Sequence, residues 1–337
     1  MDRSEAAPAL SPPTLAEIRA AHERVKRSAV RTPLLRLPPL KGEREIWLKL
    51  ETLQPIGSFK IRGAASALGL VPRAELARGV YTASAGNMAQ GVAWCARAEG
   101  VPCAVVVPDT APRAKLDAIE RLGARLVPVP FERWWQVLVE RRYDELDGVF
   151  VHPVSDPAVI AGNATIGLEI LEDLPQVASV FVPYGGGGLS CGIASALRAS
   201  GSTAVTFACE VETAAPLVAA LAAGVPGAIE YQPSFVDGIG GRGILAEMWP
   251  LASALLAGSC VVSLEEIAAA IRVLVARART VAEGAGAASL AAALAGRPAV
   301  GMNDASVPRP GGPIVCVISG GNLDPAKLAT ILEGRVP

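Results

Sequence analysis

Ser-Val-Phe-Val-Pro-Tyr-Gly-Gly-Gly-Gly-Leu-Ser-Cys-Gly-Ile-Ala-Ser-Ala-Leu-Arg-Ala, residues 179–199, joins three signals in one stretch. Residues 179–183 are a short apolar run, the pattern of a strand buried on both faces. Residues 192–199 repeat small and apolar side chains at helical spacing. Between them Tyr184-Gly185-Gly186-Gly187-Gly188-Leu189 supplies four glycines, which let backbone amides approach a phosphate while the following helix adds a favourable dipole. Strand, loop and helix in this order make half of a parallel crossover unit.

The alternation continues on either side. Apolar runs at 79–83, 103–107, 126–129, 148–151, 205–210 and 314–318 predict further strands, and amphipathic or Ala-rich segments fill most gaps. The fold class is therefore α/β. The runs between 79 and 151, with helical patterns after Gly86, Pro112 and Phe131, form a block that reads as a small inserted domain over residues 76–152. Residues 1–75 and 153–337 are then the large domain. Residues 297–313 predict a loop, and residues 1–13 a frayed arm without the apolar core of a signal peptide.

Composition narrows the function classes. A chain of 337 residues that is 51% hydrophobic has material for a large core, and a net charge of -1 gives no long-range attraction for nucleic acid or an acidic membrane. The longest Ala-rich stretch is broken by Arg272, Arg277, Arg279 and Glu283, so no membrane span is expected and the protein should be soluble and cytoplasmic. Two histidines, His22 and His152, are too few for a multi-histidine metal site. Cysteines 95, 103, 191, 209, 260 and 316 lack CxxC spacing and read as buried thiols. No metal is expected.

Only six of the 31 basic residues are lysines, which makes each one informative. Lys60 lies in Gly57-Ser58-Phe59-Lys60-Ile61-Arg62-Gly63-Ala64, with Ser58 as candidate N-cap and Lys60 in the first helical turn. A cation there opposes the helix dipole, so the segment reads either as a snorkelling surface lysine or as an amine kept for an aldehyde cofactor. Ser84-Ala85-Gly86-Asn87-Met88-Ala89-Gln90-Gly91 follows a strand and opens a helix, as an anion pocket or an ordinary capped turn. The tetraglycine loop is open to a nucleotide as well, with Glu210 and Glu212 after the next strand, but the GxGxxG frame fails at Ser190 or Cys191. Glu283-Gly284-Ala285-Gly286-Ala287-Ala288 reads as an interruption of a helical pattern, and Ser319-Gly320-Gly321-Asn322 follows the last strand.

Taken in order, GSFKIRGA, SAGNMAQGVA, the tetraglycine loop, EGAGAA and SGGN resemble the threonine/serine dehydratase and serine racemase family of pyridoxal-phosphate (PLP) enzymes, over residues 32–322. The resemblance implies fold type II: two domains, each with a mostly parallel sheet flanked by helices, and PLP in the cleft between them. It implies Lys60 as the Schiff-base lysine and Phe59 as packing partner of the pyridine ring. Asn87 would meet the ring hydroxyl, and Ser319 the ring nitrogen. The amides of Gly185, Gly186, Gly187, Gly188 and Leu189 would hold the phosphate, and Glu283 joins the cofactor-binding set. Ser84, with Gly86 and Asn87, would face the substrate carboxylate. The activity implied is loss of water and then ammonia from an amino acid with a β-hydroxyl, with a racemase as the alternative and a nucleotide-dependent oxidoreductase behind it. A homodimer is expected, without a regulatory extension after Asn322.

Several positions depart from the family. Met88 stands where histidine is usual, and Tyr184 where a small aliphatic is common. Met88 points to a more apolar pocket and to larger β-substituents, phenylserine among them; Tyr184 adds an aromatic wall if it points inward, and Trp134 and Trp135 read as core or surface packing ahead of a second such wall. Ala85 replaces the serine of family racemases, which argues against racemisation. Glu210 matches a family metal ligand, but Pro216 replaces a carboxylate of that site.

Overall fold

The structure is a computed structural model that describes residues 10–39, 44–296, 299–301 and 311–337. Among the described residues ten strands form two sheets: β1 (Leu34–Arg36), β2 (Ile46–Leu50), β3 (Val80–Ala83), β4 (Cys103–Pro108), β5 (Arg125–Val129), β6 (Val149–Phe150), β7 (Ser179–Pro183), β8 (Val205–Val211), β9 (Gly258–Val262) and β10 (Ile314–Ile318). The larger sheet runs β1-β2-β10-β7-β8-β9, the smaller β5-β4-β3-β6. All pairings are parallel except β1 with β2.

Strand β10, near the end of the chain, is inserted between β2 and β7. Strand order therefore breaks beside β10, and ligands in open α/β sheets collect at the carboxyl ends of strands at such a break. Helices Lys60–Leu68, Pro157–Asp173 and Gly188–Ala199 pack against one another over one face of the large sheet, and helix Gly284–Ala295 covers β7 to β10 on the other. Phe181 and Phe207 stack at 5.2 Å in the core.

Seven strands match expected runs to within a few residues. Strands β1, β2 and β9 stand outside them. β1 has three residues, and β9 opens on a glycine. β2 is interrupted by Lys49, which would read as surface but is fully buried. Its ammonium lies 2.6 Å from Glu169, and Arg62 lies 2.6 Å from Glu169 and 2.8 Å from Glu51, so two cations and two anions close on one another under helix Lys60–Leu68. Within the expected loop 297–313, Val300 pairs with Ser259; residues 297–298 and 302–310, like residues 1–9 of the expected arm, lie outside the described residues. EGAGAA does not interrupt a helix: Glu283 is the N-cap of helix Gly284–Ala295. No helix among the described residues is long and apolar enough to cross a membrane. Five cysteines are buried and Cys103 partly so.

Candidate active site

Two segments far apart in sequence are zipped together at the end of β10. Ser58 pairs with Gly320, Phe59 N–H donates to the Ser319 carbonyl at 3.0 Å, and Gly321 N–H donates to the Gly57 carbonyl at 2.9 Å. GSFK and SGGN are thus one structural unit. Helix Lys60–Leu68 follows at once, with Phe59 as N-cap in place of the expected Ser58. The Ser58 hydroxyl instead accepts from Lys60 N–H at 3.4 Å. Lys60 projects from the first residue of this helix.

A cleft of about 460 Å³ opens in front of that lysine. Phe59, Lys60, Ser84, Asn87, Gly185, Gly186, Gly187, Gly188, Leu189, Glu283 and Ser319, all the site residues expected from sequence, line it together. A larger open groove of about 1170 Å³, between helix Leu15–Val25 and the end of helix Pro157–Asp173, gathers none of them.

The Lys60 ammonium donates to the Pro153 carbonyl at 2.8 Å and lies 5.3 Å from the centroid of the Phe59 ring. Burial pushes its pKa down to about 8, with Glu283 opposing the shift. A substantial neutral fraction is therefore available near physiological pH, which an amine acting as nucleophile or base requires. Burial, reinforced by Asp237, raises Glu283 to about 7, so that carboxyl holds its proton up to neutrality. Its Oε1 accepts from Asn87 Nδ2 at 2.8 Å, while Asn87 Oδ1 accepts from Asn322 Nδ2 at 2.7 Å. Asn87 is thus held from both sides. Ser84 Oγ accepts from Gly86 N–H at 3.2 Å, which leaves its hydroxyl proton free to donate into the cleft.

Opposite stands the glycine loop. Gly187 adopts φ +91, a left-handed conformation, and helix Gly188–Ala199 begins at the next residue with no side-chain cap. Its first amides and its positive end remain directed at whatever enters the loop. A cradle of backbone amides at a helix start, a half-buried amine of lowered pKa and a hydroxyl at Ser319 fit the phosphate, aldehyde and ring nitrogen of PLP.

The apolar positions divide. Met88 lines the cleft although it is only 2% exposed. Trp134 and Phe131 line it too, with ring centroids 5.6 Å apart. Tyr184 does not: it is fully buried behind the loop against Met248 and Cys191, and burial raises its hydroxyl well above the usual value. Trp135 is 48% exposed and also lies outside the cleft wall. Glu210 is already satisfied by Leu217 N–H at 2.7 Å, Val218 N–H at 2.9 Å and Ser259 Oγ at 2.7 Å. Among the described residues no group of three or more His, Cys, Asp or Glu could hold a metal.

Residues that the sequence reading missed act mostly through the backbone. Pro153 contributes its carbonyl, Val154 a wall beside the glycine loop, and Gly238 and Ile239 the facing edge. No side-chain signal marks such roles. Asn322 ends the SGGN motif, but its bond to Asn87 depends on β10 being inserted beside β2.

Residues 25–320 match the family described as pyridoxal-phosphate dependent enzymes. The L-threonine ammonia-lyase of Thermotoga maritima is 39% identical over 95% of this chain and 78% of its own. The crystal structure of T.th. threonine deaminase superposes with a TM-score of 0.82 at 33% identity, covering 93% of this chain and 99% of that one. Serine racemase from Dictyostelium discoideum also gives 0.82, at 28% identity over 93% and 100% of the two chains. With the cleft, the two sheets and these relatives in agreement, the chain belongs to the pyridoxal-phosphate dependent enzymes of fold type II, in the group of the threonine/serine dehydratases and serine racemases.

Proposed function

We propose that this PLP-dependent lyase removes water, and then ammonia, from an L-β-hydroxy-α-amino acid to leave a 2-oxo acid. The observation that carries the reading is Lys60, a half-buried amine held by the Pro153 carbonyl at 2.8 Å and facing both the glycine loop and the Ser84 turn across one cleft. When bound, PLP supplies a conjugated ring that takes up the electron pair left at the substrate α-carbon. Lys60 would hold the aldehyde, and its neutral amine would accept the α-proton. The amides of Gly185 to Leu189 would hold the phosphate, and the start of helix Gly188–Ala199 would offset its charge.

Ser319 would meet the ring nitrogen with its hydroxyl, Asn87 would meet the ring hydroxyl, and Phe59 would pack on the ring. Glu283 keeps Asn87 aimed. The Ser84 hydroxyl and the amides at the start of helix Asn87–Glu99 receive the substrate carboxylate. Residues 76–152, which contribute Ser84, Asn87, Phe131 and Trp134, form the small domain that faces residues 1–75 and 153–337 across the cleft.

Met88, Phe131 and Trp134 favour a substrate with an apolar β-substituent larger than that of serine. Ala85, beside Ser84 in the cleft wall, offers no hydroxyl for proton return to the opposite face, which favours elimination over racemisation. A panel of serine, threonine and phenylserine, followed for 2-oxo acid, ammonia and D-isomer, tests the proposal. Formation of 2-oxo acid with ammonia supports it; D-amino acid as main product would replace it with the racemase reading.

A further inference from the structure

The turn that receives the Lys60 amine is built on a histidine. Residues 152–155 follow β6 and precede helix Pro157–Asp173, so they link the small sheet to the large one. His152 is only 4% exposed, and its Nδ1 accepts from two backbone amides, Val154 N–H at 3.1 Å and Ser155 N–H at 2.9 Å. Two donors converging on Nδ1 require that nitrogen to be unprotonated, so the ring is the Nε2–H tautomer. The side chain works as an asparagine does in an Asx turn, closing its own backbone around one acceptor. The carbonyl left pointing outward is that of Pro153, and it accepts from Lys60 Nζ at 2.8 Å.

Three further contacts brace the turn. The ring packs edge-on to Phe150 at 6.1 Å. Ser155 Oγ donates to Glu247 Oε1 at 2.8 Å and accepts from Arg141 Nη2 at 2.6 Å. Glu247 lies in the turn Ala246–Met248 and Arg141 ends helix Phe131–Glu140, so both sheets' surroundings hold it. The charged groups facing His152 are Arg141, Glu247 and Lys60, and burial with Arg141 pushes its pKa down to about 4. The imidazole therefore stays an acceptor at neutral pH.

We propose that His152 is a positioning residue for Lys60: its Nδ1 folds the turn 152–155 so that the Pro153 carbonyl keeps the lysine amine aimed into the cleft. A carbonyl suits this task better than a carboxylate, because it accepts from the amine without a full negative charge that would hold it protonated. The inference rests on Lys60 as the reactive amine, and its test separates the two claims.

The experiment labels the full chain with pyridoxal, which has no phosphate and so does not report on the glycine loop, followed by borohydride and peptide mapping. In the parent protein the label on Lys60 establishes the underlying reading; label on other lysines alone overturns that reading and this proposal with it. His152→Asn places Oδ1 at the same bond distance as Nδ1, His152→Gln moves the acceptor one carbon further, and His152→Leu removes it. Loss of two hydrogen bonds that fix the turn should slow Lys60 labelling roughly tenfold in the Leu and Gln variants, while Asn stays within about twofold of the parent. Urea unfolding reports stability separately. Should His152→Leu fail to fold, Gln against Asn carries the same comparison. Labelling at the parent rate in Gln, or equal slowing in Asn and Gln, overturns the positioning role even with Lys60 confirmed.

Discussion

Replacing Gly186 by alanine should weaken PLP binding more than folding, and the reason lies behind the loop. A Cβ at Gly186 would fall 2.4 and 2.7 Å from the two methyls of Val154. Comfortable carbon contacts need about 3.5–4.0 Å, so either Val154 or the loop must move by roughly 1 Å. Overpacking of this kind costs about 1–3 kcal/mol, and the loop, open to the cleft on its other side, is the softer partner. Shifted amides lose alignment with the phosphate, and each hydrogen bond to a charged group contributes about 1.5–3 kcal/mol. The expected outcome is a rise in the PLP dissociation constant of roughly ten- to a hundredfold. Equilibrium titration of the apoprotein, followed by visible absorbance beside urea unfolding, measures both effects. Adding Val154→Ala in the same chain opens the space and should restore most of the affinity. Unchanged affinity in Gly186→Ala, or no recovery in the double variant, would show that Val154 does not set the position of the loop amides.

Three further outcomes follow from the same structure. Glu169→Ala strands Lys49 and Arg62 as fully buried cations facing Glu51 alone, so denaturant unfolding should show a loss of about 3–5 kcal/mol; a loss below about 1 kcal/mol would mean the network relaxes or admits water. Because only the neutral amine attacks an aldehyde, labelling of Lys60 should accelerate with pH through a midpoint near 8, not near the ordinary 10.5, and a midpoint at the ordinary value would contradict the burial argument. Phenylserine should give a kcat/KM at least equal to that of serine, and Trp134→Ala should lower the phenylserine value by roughly tenfold or more while sparing serine; a clear serine preference in the parent enzyme would show that Met88, Phe131 and Trp134 do not bound the substrate side chain.

How far the sequence carried the account depends on where each residue's role is written. The glycine loop, GSFK and the Ser84 turn were legible because strand, loop and helix signals are local, and the cleft contains every site residue those motifs supplied. β2 was not, because Lys49 breaks an apolar run and its partner Glu169 sits far along the chain. The direction of Tyr184 is open in the sequence, and its side chain turns behind the loop, since alternate residues of an extended segment face opposite ways. Ser58 was read as a cap from its type, whereas the pairing of its backbone with Gly320 fixes where the helix starts. Pro153 acts through a carbonyl that every residue possesses, and His152 through a ring nitrogen whose partners only the folded turn brings near.

The central claim is that Lys60 is the amine that holds the cofactor, and peptide mapping after borohydride reduction of the PLP-loaded enzyme tests it most directly. The pyridoxyl group is expected on Lys60 within the GSFKIR segment, with Lys60→Ala losing both the reducible absorbance and turnover. A pyridoxyl group on any other lysine, or turnover that survives Lys60→Ala, would contradict it.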